Sequence, residues 1–437
     1  MPVLGADLRR RGCLRVRVSR ETRLILTDQV LVSGCNFITG LLLARFLGAG
    51  IYGTYSLVYG LILFVGIVLN AIVIAPMMVL LPKTRESANE VHYFHGSLGQ
   101  QLLLSSIGML GLACGLSLWQ YVTGYEGSLL LGGILGVAFL FFSLQDFFRK
   151  YFIAQQSPGA ALTNDLISYA GQVIAIMACF FLWRRLTVEW VLALIAATSG
   201  AAVGVAWRQA GGATREWRPR SMVWGRTARR NWEYGKWLLL TNVVYWAGSQ
   251  LVFYVGAMVM SVKEIGFMLA CRNLLGMANI LFLATDNFVP SRATRAFELS
   301  GPIGLHAYLR RVAMIGTAAT GVLVLPLVVA PEFWLRVAYG SSYEGNGGLV
   351  VWWAGYCVLV FLQKPYSAGL KVLQMTRRIF SANLLGSLVG VLSMYPCFRY
   401  MGVWGGMSCL CAVQVSILVG LRSAFREVSE SHRANTT

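Results

Sequence analysis

The stretch LLLARFLGAGIYGTYSL, residues 41–57, decides how the whole chain is to be read. It closes a long apolar run with Arg45 and then places Gly48, Gly50 and Gly53 within six residues. An arginine at the centre of a bilayer costs about 2.5–3.5 kcal/mol even on insertion scales. It is tolerated at the end of a span, where it can snorkel to the headgroups, or where it faces a water-filled cavity. The glycines supply the tight turn that a second span needs in order to start at once.

Working outward, the composition agrees with many spans. Of the 437 residues 57% are hydrophobic and only 13% charged, against roughly 25% charged in soluble domains, and the mean hydropathy is +0.62. The net charge of +19 could suggest nucleic acid, but the basic residues punctuate apolar spans instead of forming an aromatic-interleaved groove. No nucleic-acid partner is expected. The nine cysteines form no CxxC and read as small buried hydrophobes. The N-terminal segment RRRGCLRVRVSRETR leads into an apolar stretch too long for a signal-peptide core and interrupted by Asp28, so an uncleaved first span is expected.

A span needs about 20 apolar residues, and the chain divides into twelve: 24–46, 52–81, 98–121, 128–148, 160–183, 187–207, 235–260, 264–289, 309–331, 347–370, 378–399 and 401–421. The expected fold is an all-α polytopic membrane protein with two six-helix lobes around a central cavity. The lobes cover 24–207 and 235–421. A basic arm (1–23), a basic linker (208–234) and a tail (422–437) complete the division. With both termini cytoplasmic, 30 of the 37 Lys and Arg residues lie inside, as the positive-inside rule requires. The seven others are Arg45, Arg184, Arg185, Lys263, Arg272, Arg336 and Arg399. The linker region 208–237, with eight Lys or Arg and four Trp, reads as an interfacial segment on anionic lipid. The outside loops are short; even VAYGSSYEGNGG, residues 337–348, leaves no room for a catalytic domain.

The halves repeat faintly. IYGTYSLVYG opens the second span and APMMVLLPKTR closes it; EIGFMLACRN opens the eighth and VPSRATR closes it. Gly53 thereby aligns with Gly266. Parallel repeats of this kind mark transporters whose substrate sits between lobes.

Ionisable groups inside spans are functional candidates by default. Asp28, Asp146, Asp165 and Asp286 lie toward the cytoplasmic ends, where pairing with Arg149, Lys150 or the arginines of 291–311 would make them structural. Asp28 and Asp286 are also candidates for ion coupling. Arg45 and Arg272 lie in the outer half, one in each lobe, either snorkelling or holding an anionic group, since a guanidinium binds phosphate oxygens in pairs. Asn36, Asn70, Asn242 and Gln250 are polar neighbours for the same cavity. His92 and His95 lack a third ligand, so no metal is expected. No phosphate-binding loop, dinucleotide fingerprint or nucleophile elbow is present, and neither cofactor nor catalysis is expected.

The order of several segments resembles a known family. LLLARFLGAGIYGTYSL is similar to the junction of helices 1 and 2 in Wzx-type polysaccharide and O-antigen flippases. SLQDFFRKYFIAQQ (143–156) resembles the end of their helix 4, APEFWLRVAYGSSYEGNGGLVVWWAGYCV (330–358) their link between helices 9 and 10, and YMGVWGGMSCL (400–410) their turn into helix 12. The family belongs to the multidrug/oligosaccharidyl-lipid/polysaccharide (MOP) exporter superfamily. The resemblance implies alternating access by two lobes, with undecaprenyl-diphosphate-linked oligosaccharide carried across the bacterial inner membrane for lipopolysaccharide or exopolysaccharide synthesis. It also implies a cationic cavity that suits Arg45 and Arg272, lipid contacts, and partnership with a polysaccharide polymerase and chain-length machinery. A cation-coupled drug exporter would prefer an acidic, aromatic cavity. A membrane-embedded polymerase or ligase would carry a large outer loop, which this sequence lacks.

Overall fold

The computed structural model describes residues 20–82, 89–123, 130–183, 186–211, 214 and 221–434, which are helical almost throughout and contain no strand. The first 19 residues of the basic arm, Arg184, Arg185, most of 212–220 and the last three residues lie outside the described residues. Nine helical runs among the described residues are long and apolar enough to cross a membrane. Three of them are broken once by a glycine with positive φ: Gly48 (φ 72°), Gly301 (φ 60°) and Gly402 (φ 57°). A Cβ would strain that backbone, whereas glycine adopts it freely, so one residue turns each span into the next.

Twelve membrane helices result: α1 (20–47), α2 (49–80), α3 (Asn89–Thr123), α4 (Leu130–Ala154), α5 (158–183), α6 (Val188–Gln209), α7 (221–259), α8 (262–300), α9 (302–329), α10 (Gly347–Val372), α11 (376–401) and α12 (403–434). A short helix, Pro331–Tyr339, and a turn, Ser341–Tyr343, join α9 to α10. Helices α1–α6 pack into one lobe and α7–α12 into the other, chiefly through α4 against α3 and α6, and α10 against α9 and α12. We call the side where α1 starts and α12 ends the basic face and the opposite side the far face.

The predicted spans recur with shifted ends. The largest shift is in α7, read from sequence as starting at 235 but helical from Ser221. Its first half is charged and aromatic, which hides it from a hydropathy window. The helix forms there because one stripe packs on the other lobe. Thr227 lies against Gly96, Asn231 accepts a hydrogen bond from Tyr93 (2.6 Å) and donates one to Gln100 (2.8 Å), and Gly235 lies against the Ala71 carbonyl. Asn231 is fully buried, so these bonds satisfy groups that water cannot reach. His92 and His95, left between the second and third predicted spans, sit on α3.

At the far face the lobes meet through backbone. A Cβ on Gly266 would run into the Ala49 carbonyl, and one on Gly53 into that of Val262. The two glycines that the repeat aligns in sequence therefore touch each other across the lobe boundary. Around them Tyr343 donates to the Ala44 carbonyl (2.9 Å) and Asn273 to the Phe37 carbonyl (3.4 Å). Closer to the basic face α1 and α8 present exposed side chains, Val30 and Asn36 on one and Ile280 and Asp286 on the other. There α2 and α7 stay in contact, with Phe64 on Trp246 at 4.4 Å between ring centroids.

Gly266→Val should weaken the lobe contact by about 1–3 kcal/mol and lower the thermal unfolding temperature in detergent. Gly34→Ala, with nothing within 4 Å of its added methyl, should leave it unchanged or raise it slightly. Equal behaviour of the two would show that the glycine contact carries no packing.

Candidate functional site

Among the described residues two polar clusters are built around an arginine inside the helical body, one in each lobe. In the second lobe Arg272 projects from α8, ten residues from that helix's far-face start at Val262, a depth of about 15 Å at 1.5 Å per residue. This is half the roughly 30 Å hydrocarbon thickness. Its Nη1 donates to Oε1 of Gln250 at 2.9 Å, and its guanidinium lies 5.5 Å from the Phe253 ring centroid. Phe253 in turn stacks on Trp353 (6.3 Å, 16° between planes), which anchors α10 by donating to the Met268 carbonyl at 3.0 Å. Gln250 stands at the break between the helical segments Ser221–Ser249 and Leu251–Val259 of α7. Beside Arg272 are Tyr52, Tyr356 and Cys357. Gln414 connects Tyr356 (3.1 Å) with Gln363 (2.8 Å). Among the described residues Arg272 enters no ion pair with a carboxylate. It is a half-buried cation held by a neutral amide and an aromatic face.

The first lobe solves its charge differently. Arg149 of α4, 11% exposed, lies between Asp28 of α1 (3.2 Å) and fully buried Asp165 of α5. Gln145 donates to Asp165 at 2.9 Å, and Asn164 donates to the Gln145 carbonyl at 3.2 Å. Asp146 lies within electrostatic range of Arg149, so two carboxylates contact the guanidinium and a third is nearby. Asp28 Oδ1, Gln145 Oε1 and Asn164 Oδ1 are buried acceptors without a donor. The cluster thus holds more acceptors and more negative charge than Arg149 matches. A five-residue π segment, Leu166–Ala170, follows Asp165, and another, Asn70–Ile74, interrupts α2; such segments are frequent at functional sites.

The sequence-derived candidates are divided between these places. Arg272 and Gln250 are hydrogen-bonded partners, and Asn242 lies half-buried two turns along α7 from Gln250. Asn36 is exposed although Val32 and Thr39, on the same face of α1, are buried, so that face opens at Asn36. Asn70 lines a cleft of about 230 Å³ between α2 and α4, with Phe142, Ser143 and Asp146. Arg45 is exposed at the far face, where its Nη1 donates to the Val337 carbonyl at 2.8 Å, tying the end of α1 to the short helix of the other lobe. Asp28 is paired with Arg149, and Asp286 with Lys364 at 2.6 Å. In the far-face loop Glu344 takes a hydrogen bond from Arg336, which holds its carboxyl below the usual range. No group of three or more His, Cys, Asp or Glu able to hold a metal occurs among the described residues. The reading from sequence missed Tyr356, Gln363 and Gln414, neutral residues in apolar runs, whose only signal was a polar atom at bilayer depth.

No protein-family model and no curated protein matches the sequence. Solved structures do match. A multidrug resistance MATE family transporter of the MOP superfamily, in its inward-facing conformation, has a TM-score of 0.75 at 10% identity over 96% of this chain and 100% of that one. The lipid II flippase MurJ, inward closed, has a TM-score of 0.69 at 11% identity over 93% and 87%. A eukaryotic MATE transporter has a TM-score of 0.61 at 10% identity over 96% and 99%. The chain has the fold of MOP-superfamily transporters.

Arg149→Gln should cost about 3–5 kcal/mol by leaving buried carboxylates unpaired, read as a loss of folded protein in size-exclusion and thermal-unfolding assays. Adding Asp28→Asn and Asp165→Asn should restore most of it. A triple variant no better than Arg149→Gln alone would show that charge matching is not what Arg149 supplies.

Proposed function

We propose that the protein carries an anionic, lipid-linked headgroup across the membrane, namely undecaprenyl-diphosphate-linked oligosaccharide moved from the cytoplasmic to the outer leaflet. The observation that supports this most is Arg272. A cation at mid-membrane with no carboxylate partner is strongly unfavourable unless water or an anion reaches it, and a diphosphate suits a guanidinium. The Phe253–Trp353 platform and Gln250 hold that guanidinium in place. In this reading the basic face is cytoplasmic, both termini are inside and the membrane is the bacterial inner membrane. The headgroup enters between α1 and α8, past Asn36, while the lipid tail stays in the bilayer. Transport then requires the far-face contact around Gly53 and Gly266 to part as the opposite side closes. The product would pass to a polysaccharide polymerase and its chain-length machinery.

The acidic cluster of the first lobe fits the driving step of such a cycle. With more carboxylates than cations around Arg149, protonation of Asp28 or Asp165 would remove unmatched buried charge. Asp286, bound to Lys364 in the second lobe, is the other coupling candidate. The acidic cluster is also what a cationic drug would use, and the fold is shared with MATE transporters, so drug export is the competing reading. It gives Arg272 no role.

In proteoliposomes carrying a fluorescent undecaprenyl-diphosphate glycan, Arg272→Gln should slow translocation at least about tenfold, the loss of one charge-assisted contact, while remaining folded. Arg45→Ala, which removes only the Val337 bond, should cost less than Arg272→Gln. Unimpaired translocation by Arg272→Gln, or resistance to cationic drugs on expression without glycan movement, would favour the exporter.

A further inference from the structure

The cleft between α2 and α4 is unused by a site built only around Arg272. Its α2 wall is Leu63, Gly66, Ile67, Leu69, Asn70 and Ile74, all but Leu69 spaced to share one helical face, and Phe142, Ser143 and Asp146 supply the α4 wall. The volume, about 230 Å³, lies below the 300–1,000 Å³ of pockets that take a whole ligand. It fits one ring of a larger molecule. Its chemistry is mixed: a carboxylate accepts hydrogen bonds, an amide both donates and accepts, and the Phe142 ring offers an apolar edge or face. The π segment beginning at Asn70 perturbs the backbone ladder beside the cleft.

We infer that this cleft receives a single sugar ring of the transported headgroup, with Asp146 and Asn70 bonding its hydroxyls and Phe142 packing on its C–H face. The inference rests on the flippase reading given above and extends it to the neutral part of the substrate. Several features favour a hydroxylated ring over a bare cation. The cleft contributes one carboxylate only, and Asp146 already lies within electrostatic range of Arg149, whose other neighbours are Asp28, Asp165 and Tyr169; Tyr59 also lies close. Ser143 spends its hydroxyl on Ser105 (2.9 Å) and the Leu140 carbonyl (3.0 Å), which leaves the cleft short of cation ligands. Most of the lining is apolar, as sugar C–H faces require. The cleft lies on the basic-face side of Arg272. Asp146 is sixteen residues from the far-face start of α4 at Leu130, about 24 Å down, and Arg272 is about 15 Å down. A sugar hanging from a diphosphate at Arg272 would extend toward the basic face, where the cleft is.

The test measures binding of two probes to the purified full chain in nanodiscs: undecaprenyl diphosphate, and the same lipid carrying one N-acetylglucosamine. The wild type should bind the glycosylated lipid about tenfold more tightly, the worth of one or two hydrogen bonds. Asp146→Ala and Asn70→Ala should each remove most of that advantage while binding the bare lipid within about twofold of the wild type. That retained binding also shows that the variants fold. Equal binding of both lipids by the wild type, or a full sugar advantage in both variants, would overturn the subsite and leave the flippase reading standing. Failure of the wild type to bind either lipid would overturn that reading, and the subsite with it.

Discussion

Arg272 reaches Gln250 from about half-way through the hydrocarbon, where an unmatched charge is among the least favourable groups a protein can hold. Much of the surrounding structure serves to keep it there without neutralising it. The break in α7 brings Gln250 to it, Phe253 lies against its guanidinium, and Trp353 holds Phe253 while bonding the α8 backbone. A carboxylate in place of Gln250 would have made a self-satisfied pair. The amide anchors the arginine and leaves its charge available.

The two lobes share a fold and handle charge in opposite ways. Arg149 is paired with Asp28 and Asp165, with Asp146 nearby and Gln145 and Asn164 around them, so the first lobe's cluster is acidic where the second lobe's is basic. The glycine contact at the far face and the Asn231 junction nearer the basic face set how these lobes can move. The first half of α7 packs on α3 while its second half packs on α11. The helix therefore links the lobes as well as belonging to one. Its break at Gln250 puts the supporting amide of Arg272 on that link, so lobe motion and anion binding share a residue.

The twelve spans were legible because hydrocarbon imposes length and apolarity on every crossing helix. Gly53 and Gly266 could be aligned because both lobes keep nearly the same spacing to a proline, 23 residues to Pro76 and 24 to Pro290. The start of α7 was not legible, since Thr227, Asn231 and Gly235 are helical for the sake of partners on α2 and α3 that no local window contains. Arg272 stood out in sequence by breaking the positive-inside trend, and Gln250 by its polarity. Arg45 broke the same trend, and the structure gives it the Val337 carbonyl at the far face. Nothing local to either arginine distinguishes the two. The difference lies in which elements fold around each.

The most direct test is a structure determined with undecaprenyl diphosphate bound. The account predicts a phosphate oxygen within hydrogen-bonding distance, about 3 Å, of the Arg272 guanidinium, with Gln250 still supporting it and the isoprenoid chain leaving between α1 and α8. A diphosphate held instead by the arginines of the basic face, with Arg272 in contact with protein alone, would contradict it.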